Sequence, residues 1–194
     1  MGDSRVEVLV RAVTALNGGE IDLAKRAIEE GYPFAPVERG RRRYTVRQMV
    51  EQFFKDGFID RYSGERLVNP GMLRAISEMI PDVFPYQAHW KTGECHLAYW
   101  NDHPTIDHIY PLSLGGEDGP ENWATTSMMR NSLKGNFTLE QMGWMLQERG
   151  NIREWDGLSK VFVKLVEREN ALLQVGRIRS YYIATKEMVK RYDL

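Results

Sequence analysis

The residues that decide the fold run Thr105-Ile106-Asp107-His108-Ile109-Tyr110-Pro111, then Gly115-Gly116, then Glu121-Asn122-Trp123-Ala124-Thr125-Thr126, then Arg130-Asn131-Ser132-Leu133-Lys134. β-branched and aromatic residues fill the stretches 105–110 and 122–126, which predicts two short strands. Pro111 ends the first, because proline cannot donate to a ladder. Gly115-Gly116 and Gly119-Pro120 predict a loop between them, and Ser127 to Gly135 reads as a helix.

Outward from this unit the texture is helical. Val6, Leu9, Val10, Val13 and Leu16 fall at helical spacing up to Gly18-Gly19, and a second helix is expected from Ile21 to about Glu30, stopped by Gly31. Thr45 with Gln48 forms a capping box ahead of an apolar face of Val46, Met49, Val50, Phe53 and Phe54. Asp60 to Glu65 is turn-like. Asn69-Pro70 opens a helix through Met72, Leu73, Ile76, Met79 and Ile80. Prolines and aromatics crowd 81–100 into an irregular packed segment. Thr138 with Gln141 opens another helix, and a last helical region runs from about Leu158 to Tyr192 with a break near Gly176. The expected fold class is therefore α+β, predominantly helical, with a small strand–strand–helix core embedded in surrounding helices. Its parts are a helical N-terminal region (1–100), the core (101–137) and a C-terminal helical region (138–194), within one compact domain.

Asp107, His108 and Asn131 suit one kind of chemistry. Hydrolysis of a phosphodiester needs a base for water, a cation for the phosphate charge and stabilisation of the leaving oxygen. Histidine titrates near neutral pH, and a carboxylate with an amide oxygen makes a hard donor set for Mg²⁺. One geometric condition attaches: neighbours on a regular strand point to opposite faces, so Asp107 and His108 share a site only where the strand twists strongly or ends.

With the spacings 122 − 108 = 14 and 131 − 122 = 9, the set resembles the ββα-metal core of the HNH endonuclease family, including the HNH module of RNA-guided CRISPR nucleases. The motif covers about 30 residues. Phe58-Ile-Asp-Arg-Tyr-Ser-Gly-Glu-Arg66 and Pro104-Thr-Ile-Asp-His108 also look like a bacterial HNH subgroup. The resemblance implies a ββα-metal core in which His108 is the general base and Asp107 and Asn131 hold one divalent cation, Mg²⁺ or Mn²⁺. Asn122 would fasten the loop around His108, while Lys134 and Arg130 would meet phosphate. Products would carry 5′-phosphate and 3′-hydroxyl ends. Many relatives add a structural zinc on paired Cys-x-x-Cys motifs; this chain has one cysteine, Cys95, so its helices must brace the core.

Charge tempers the partner reading. The chain is 42% hydrophobic and 27% charged with a formal net charge of −1, unlike proteins that coat nucleic acid through bulk positive charge. DNA, double-stranded, is the expected partner, engaged by local cations: Arg39, Arg41, Arg42 and Arg43 offer phosphate-gripping forks, with a solvated loop as the plain alternative. A homodimer would suit double-strand cutting. His89, Cys95, His96 and His103 match no standard zinc spacing, and packing roles suit them better. The five tryptophans are expected mainly in the core, with Trp123 under the motif. No apolar run is long enough to span a bilayer, the N-terminus does not read as a signal peptide, and a lone cysteine suits a reducing cytoplasm.

Overall fold

The structure, a computed structural model, describes residues 4–34, 44–91 and 93–194. It is α+β and mostly helical, with a single two-stranded antiparallel sheet among the described residues. The chain divides into two compact units, residues 1–42 and 43–194, so the helical region expected over 1–100 is shared between them.

The first unit is a helical hairpin. Helix α1 (Arg5–Asn17) starts at a capping box in which Ser4 Oγ accepts the Glu7 amide and the Glu7 carboxylate accepts the Ser4 amide. Helix α2 (Ile21–Gly31) lies against it through Ala24. The buried stripe is Val8, Ala12 and Ala15, whose small side chains let the two backbones approach. Val6, Leu9, Val10, Val13 and Leu16 do form the expected helix, but within this unit they stay 45% to 67% exposed.

The second unit is built on four helices. In α3 (Val46–Lys55), Thr45 and Gln48 cap the first turn as their spacing predicts, and Val50, Phe53 and Phe54 are buried. Helix α4 (Pro70–Met79) starts at Asn69, whose side chain accepts the Gly71 amide at 2.9 Å. Asn69 is itself fully buried. Its Nδ2 donates to Ser159 Oγ at 3.1 Å and Thr185 Oγ1 at 2.9 Å, so one cap also ties α4 to helices α8 (Ser159–Arg168) and α9 (Gly176–Arg191). Phe53, Phe54, Phe58, Met72, Phe162, Val166, Ile178, Tyr181 and Met188 fill the space among them. The break in the last helical region comes at Glu169 and the 3-10 turn Asn170–Gln174, so Gly176 opens α9 rather than kinking it.

The crowded segment before the sheet contains the four-residue helix α5 (Ala98–Asn101) and packs Tyr99 beneath Phe84, Tyr86 and Trp90. His103 stands edge-on to Trp90, and its Nδ1 is sealed from solvent without a hydrogen-bond partner among the described residues. Burial pushes this imidazole down from 6.5 to about 4. Between those pH values the unfolded chain takes up a proton that the folded chain refuses, so stability falls as pH drops from 6.5 towards 4. The expected loss is roughly 3 kcal/mol. Urea unfolding across this range should show that component in the wild type and not in His103→Gln.

Strands β1 (Pro104–His108) and β2 (Trp123–Ser127) pair antiparallel, with Asp107 opposite Ala124 and His108 opposite Trp123. Helix α6 (Met128–Lys134) follows β2 at once, capped by Ser127 Oγ on the Arg130 amide at 3.2 Å. The short helix α7 (Leu139–Met142) comes next, opened by the Thr138–Gln141 box.

Two strands alone are marginal, and here buried carboxylates brace them. Asp56, at the end of α3, accepts the Thr125 amide at 2.9 Å and Gln52 Nε2 at 2.8 Å on Oδ2. Its Oδ1 takes Arg61 Nη1 at 2.9 Å and Arg149 Nε at 3.0 Å. Asp60 accepts Thr126 Oγ1 at 3.0 Å and the Ser127 amide at 2.8 Å. Both carboxylates are fully buried. Between them Gly57 adopts φ +66°, and a Cβ there would meet the Gly150 carbonyl oxygen at 2.3 Å. Gly57→Ala is therefore expected to cost about 3 kcal/mol or more, by adding a backbone clash to a left-handed conformation. A denaturant midpoint within error of wild type would contradict this.

Candidate active site

The two faces of β1 meet different partners. Asp107 lies on the face towards α6 and is 5% exposed. Its Oδ2 accepts Tyr62 Oη at 2.7 Å and pairs with Lys134 Nζ at 2.8 Å. The same ammonium donates to the His108 carbonyl at 2.8 Å, so Lys134 ties the end of β1 to the last turn of α6. Desolvation, then the Asp107 charge, pushes the Tyr62 hydroxyl far above its usual range, so it stays a proton donor to that carboxylate. Lys134, expected at phosphate, is instead 1% exposed with its charge spent inside the protein. A long stem, with partners at the last two residues of β1, allows this inward turn.

Asn131 stands one helical turn before Lys134 on the same face of α6. Its Nδ2 lies 3.4 Å from the Ile106 carbonyl, the peptide that precedes Asp107. Asp107 and Asn131 are thus brought to the same stretch of β1. Arg130, half-buried, has its guanidinium over the Trp144 ring at 5.4 Å.

His108 turns the other way, into a pocket of Tyr44, Trp123 and Asp118, and is 2% exposed. Nε2 lies 2.8 Å from Asp118 Oδ1 and 3.2 Å from Tyr44 Oη. Trp123 Nε1 donates to that same Asp118 oxygen at 3.0 Å, and Tyr44 Oη reaches it at 3.4 Å. These donors, His108 first, hold the Asp118 carboxyl below its ordinary range. The strand alternation that the sequence warned of is real. No described hydrogen bond joins the His108 ring to Asp107 or Asn131, although β1 ends at His108.

Asn122 fastens the loop between the strands. Its Oδ1 accepts the Tyr110 amide at 2.8 Å, and its Nδ2 donates to the Tyr110 and Glu117 carbonyls at 2.9 and 2.8 Å. Gly116 packs against this turn so closely that a Cβ would lie 2.3 Å from the Tyr110 carbonyl oxygen. The loop is therefore closed on itself and presents Asp118 to His108. Arg41, Arg42 and Arg43 lie outside the described residues. Tyr44, directly after them, borders a cleft of about 680 Å³ with Gln48, Gln52, Lys55, Asp118 and Trp123.

Three contributors were not singled out from sequence: Tyr62, Tyr44 and Asp118. Tyr62 sat inside the quoted Phe58–Arg66 motif, which gave a signal but no partner. Asp118 was hidden in a Gly-rich loop.

The donor set suits a small divalent cation. Among the described residues, Asp107 Oδ1 and Asn131 Oδ1 make no hydrogen bond, while Tyr62 and Lys134 fix the other carboxylate oxygen. One carboxylate oxygen and one amide oxygen, completed by water and phosphate, is the kind of set Mg²⁺ accepts. No group of three His, Cys, Asp or Glu side chains gathers among the described residues, and none of their helices is long and apolar enough to cross a membrane. In comparisons with protein-family models, curated proteins and solved structures, nothing matches this chain.

Proposed function

We propose that the chain is a metal-dependent HNH-type endonuclease that hydrolyses DNA phosphodiester bonds to 5′-phosphate and 3′-hydroxyl ends. The observation that carries this reading is an oriented histidine at the end of β1 next in sequence to a carboxylate that keeps one oxygen, Oδ1, unengaged, with the unengaged amide oxygen of Asn131 brought to the same strand from α6. The motif resemblance supplies the reaction class. Asp107 and Asn131 would hold Mg²⁺ or Mn²⁺, and when bound the cation would offset charge on the phosphate and the leaving oxygen. His108 takes the proton of the attacking water. Tyr62 and Lys134 keep the Asp107 carboxylate in one rotamer. Asn122 holds the loop beside His108.

A second reading is a DNA-binding module without catalysis. One observation favours it: the Asp107 charge is already balanced by a buried ammonium. Incubation of supercoiled plasmid with the protein separates the two. Nicked circles should accumulate with Mg²⁺ or Mn²⁺ and stop on addition of EDTA, and single-strand nicks should precede linear product because one site cuts one strand. Plasmid retarded in a gel but never nicked would favour the silent module. Parallel incubation with single-stranded RNA tests the narrower choice of DNA. A restriction or phage-defence role belongs to the same proposal, as does dimerisation on a two-fold site.

A further inference from the structure

We propose that Asp118 is a positioning residue that fixes the ring and the tautomer of His108, leaving Nδ1 as the nitrogen that accepts the proton of water. The inference rests on the nuclease reading for its catalytic meaning and on geometry alone for its structural content. A separation of 2.8 Å between Nε2 and a carboxylate oxygen requires a proton between them. That carboxylate oxygen already accepts from Trp123 Nε1 at 3.0 Å and Tyr44 Oη at 3.4 Å, which is the bonding of an ionised acceptor and leaves no proton on it. The shared proton therefore belongs to Nε2. A neutral imidazole protonated at Nε2 has its lone pair on Nδ1, and among the described residues Nδ1 has no hydrogen-bond partner.

The rest of the site is built to keep Asp118 in place. Asn122 closes the loop from both ends, Gly116 lets it pack flat on Tyr110, and Trp123 and Tyr44 grip the carboxylate from the sheet and from the approach to α3. This explains why a loop residue whose side chain is 46% exposed can orient a ring that is nearly fully enclosed. When water gives its proton to Nδ1, the ring becomes an imidazolium whose Nε2–H already faces a negative charge. The carboxylate stabilises that cation without itself taking the proton.

The test uses the full chain with ¹⁵N-labelled histidine. Long-range ¹H–¹⁵N correlation spectra near pH 8, assigned with His108→Gln, should show His108 as the Nε2–H tautomer. Asp118→Ala should redistribute the ring between tautomers, and Asp118→Asn, whose amide oxygen still accepts from Nε2–H, should restore the Nε2–H form. In plasmid nicking, Asp118→Ala should lower kcat roughly 10- to 100-fold with KM little changed, and Asp118→Asn should recover most of it. A His108 tautomer unchanged in Asp118→Ala, or found as Nδ1–H in the wild type, overturns the proposal. An Nε2–H tautomer that shifts in Asp118→Ala, in a protein that cuts nothing under any divalent cation, instead overturns the nuclease reading and leaves the hold of Asp118 on the ring established.

Discussion

Replacing His108 by alanine is expected to reduce the rate of DNA nicking by roughly 10²- to 10⁴-fold, the usual contribution of a positioned general base. The loss should fall on kcat, because His108 is buried against Tyr44 and Asp118 and offers little surface to bind DNA in the ground state. Cation affinity should change little, since the ring shares no described contact with Asp107 or Asn131. The substitution also leaves Asp118 without its strongest donor, so the melting temperature must be compared with that of wild type before the rate is read. Equal nicking by His108→Ala and wild type would remove His108 from the base role.

The largest effect on stability is expected at Asp56. Asp56→Ala removes one fully buried carboxylate that accepts from Arg61, Arg149, Gln52 and the Thr125 amide. Arg61 is only 7% exposed and keeps a single other described acceptor, the Gln147 carbonyl at 2.6 Å. Its guanidinium would be left buried without a counter-charge, which typically costs about 3–5 kcal/mol. That is a large part of the roughly 5–15 kcal/mol that holds a domain together. Chemical denaturation should show it directly. Since the Thr125 amide is the link to β2, cleavage should fall together with stability. A loss below about 1 kcal/mol would mean that the hydrophobic face of the sheet, not the carboxylate, holds β2 in place.

What could be read from sequence was whatever is settled locally. Thr45 with Gln48, Thr138 with Gln141 and Asn69-Pro70 mark helix starts within four residues of themselves, and each start lies where these signals put it. The two strands and α6 also follow from short-range pattern and from Pro111, Ser127 and Gly135. Partners distant in sequence were not legible. Tyr62 meets Asp107 across 45 positions and Tyr44 meets His108 across 64, and no periodicity encodes either contact. Lys134 reads as a surface cation on a short polar helix, and only the fold shows that its ammonium turns under β1. In α1, composition alone misassigns the buried face, because alanines at 12 and 15 pack where larger residues would hold α2 away.

Alternation along β1 puts Asp107 and His108 on opposite faces of the strand, unlike the simple picture of three side chains around one ion. The cation would sit on the α6 side, with His108 reaching the phosphate from the strand end. Crystals of the protein soaked in Mn²⁺ and measured at the manganese absorption edge test this arrangement most directly. The account predicts an anomalous peak bonded to Asp107 Oδ1 and Asn131 Oδ1, with Lys134 still on Oδ2 of the carboxylate, and its loss in Asn131→Ala. Well-ordered Asp107 and Asn131 with no peak between them, at a Mn²⁺ concentration that supports nicking, would contradict it.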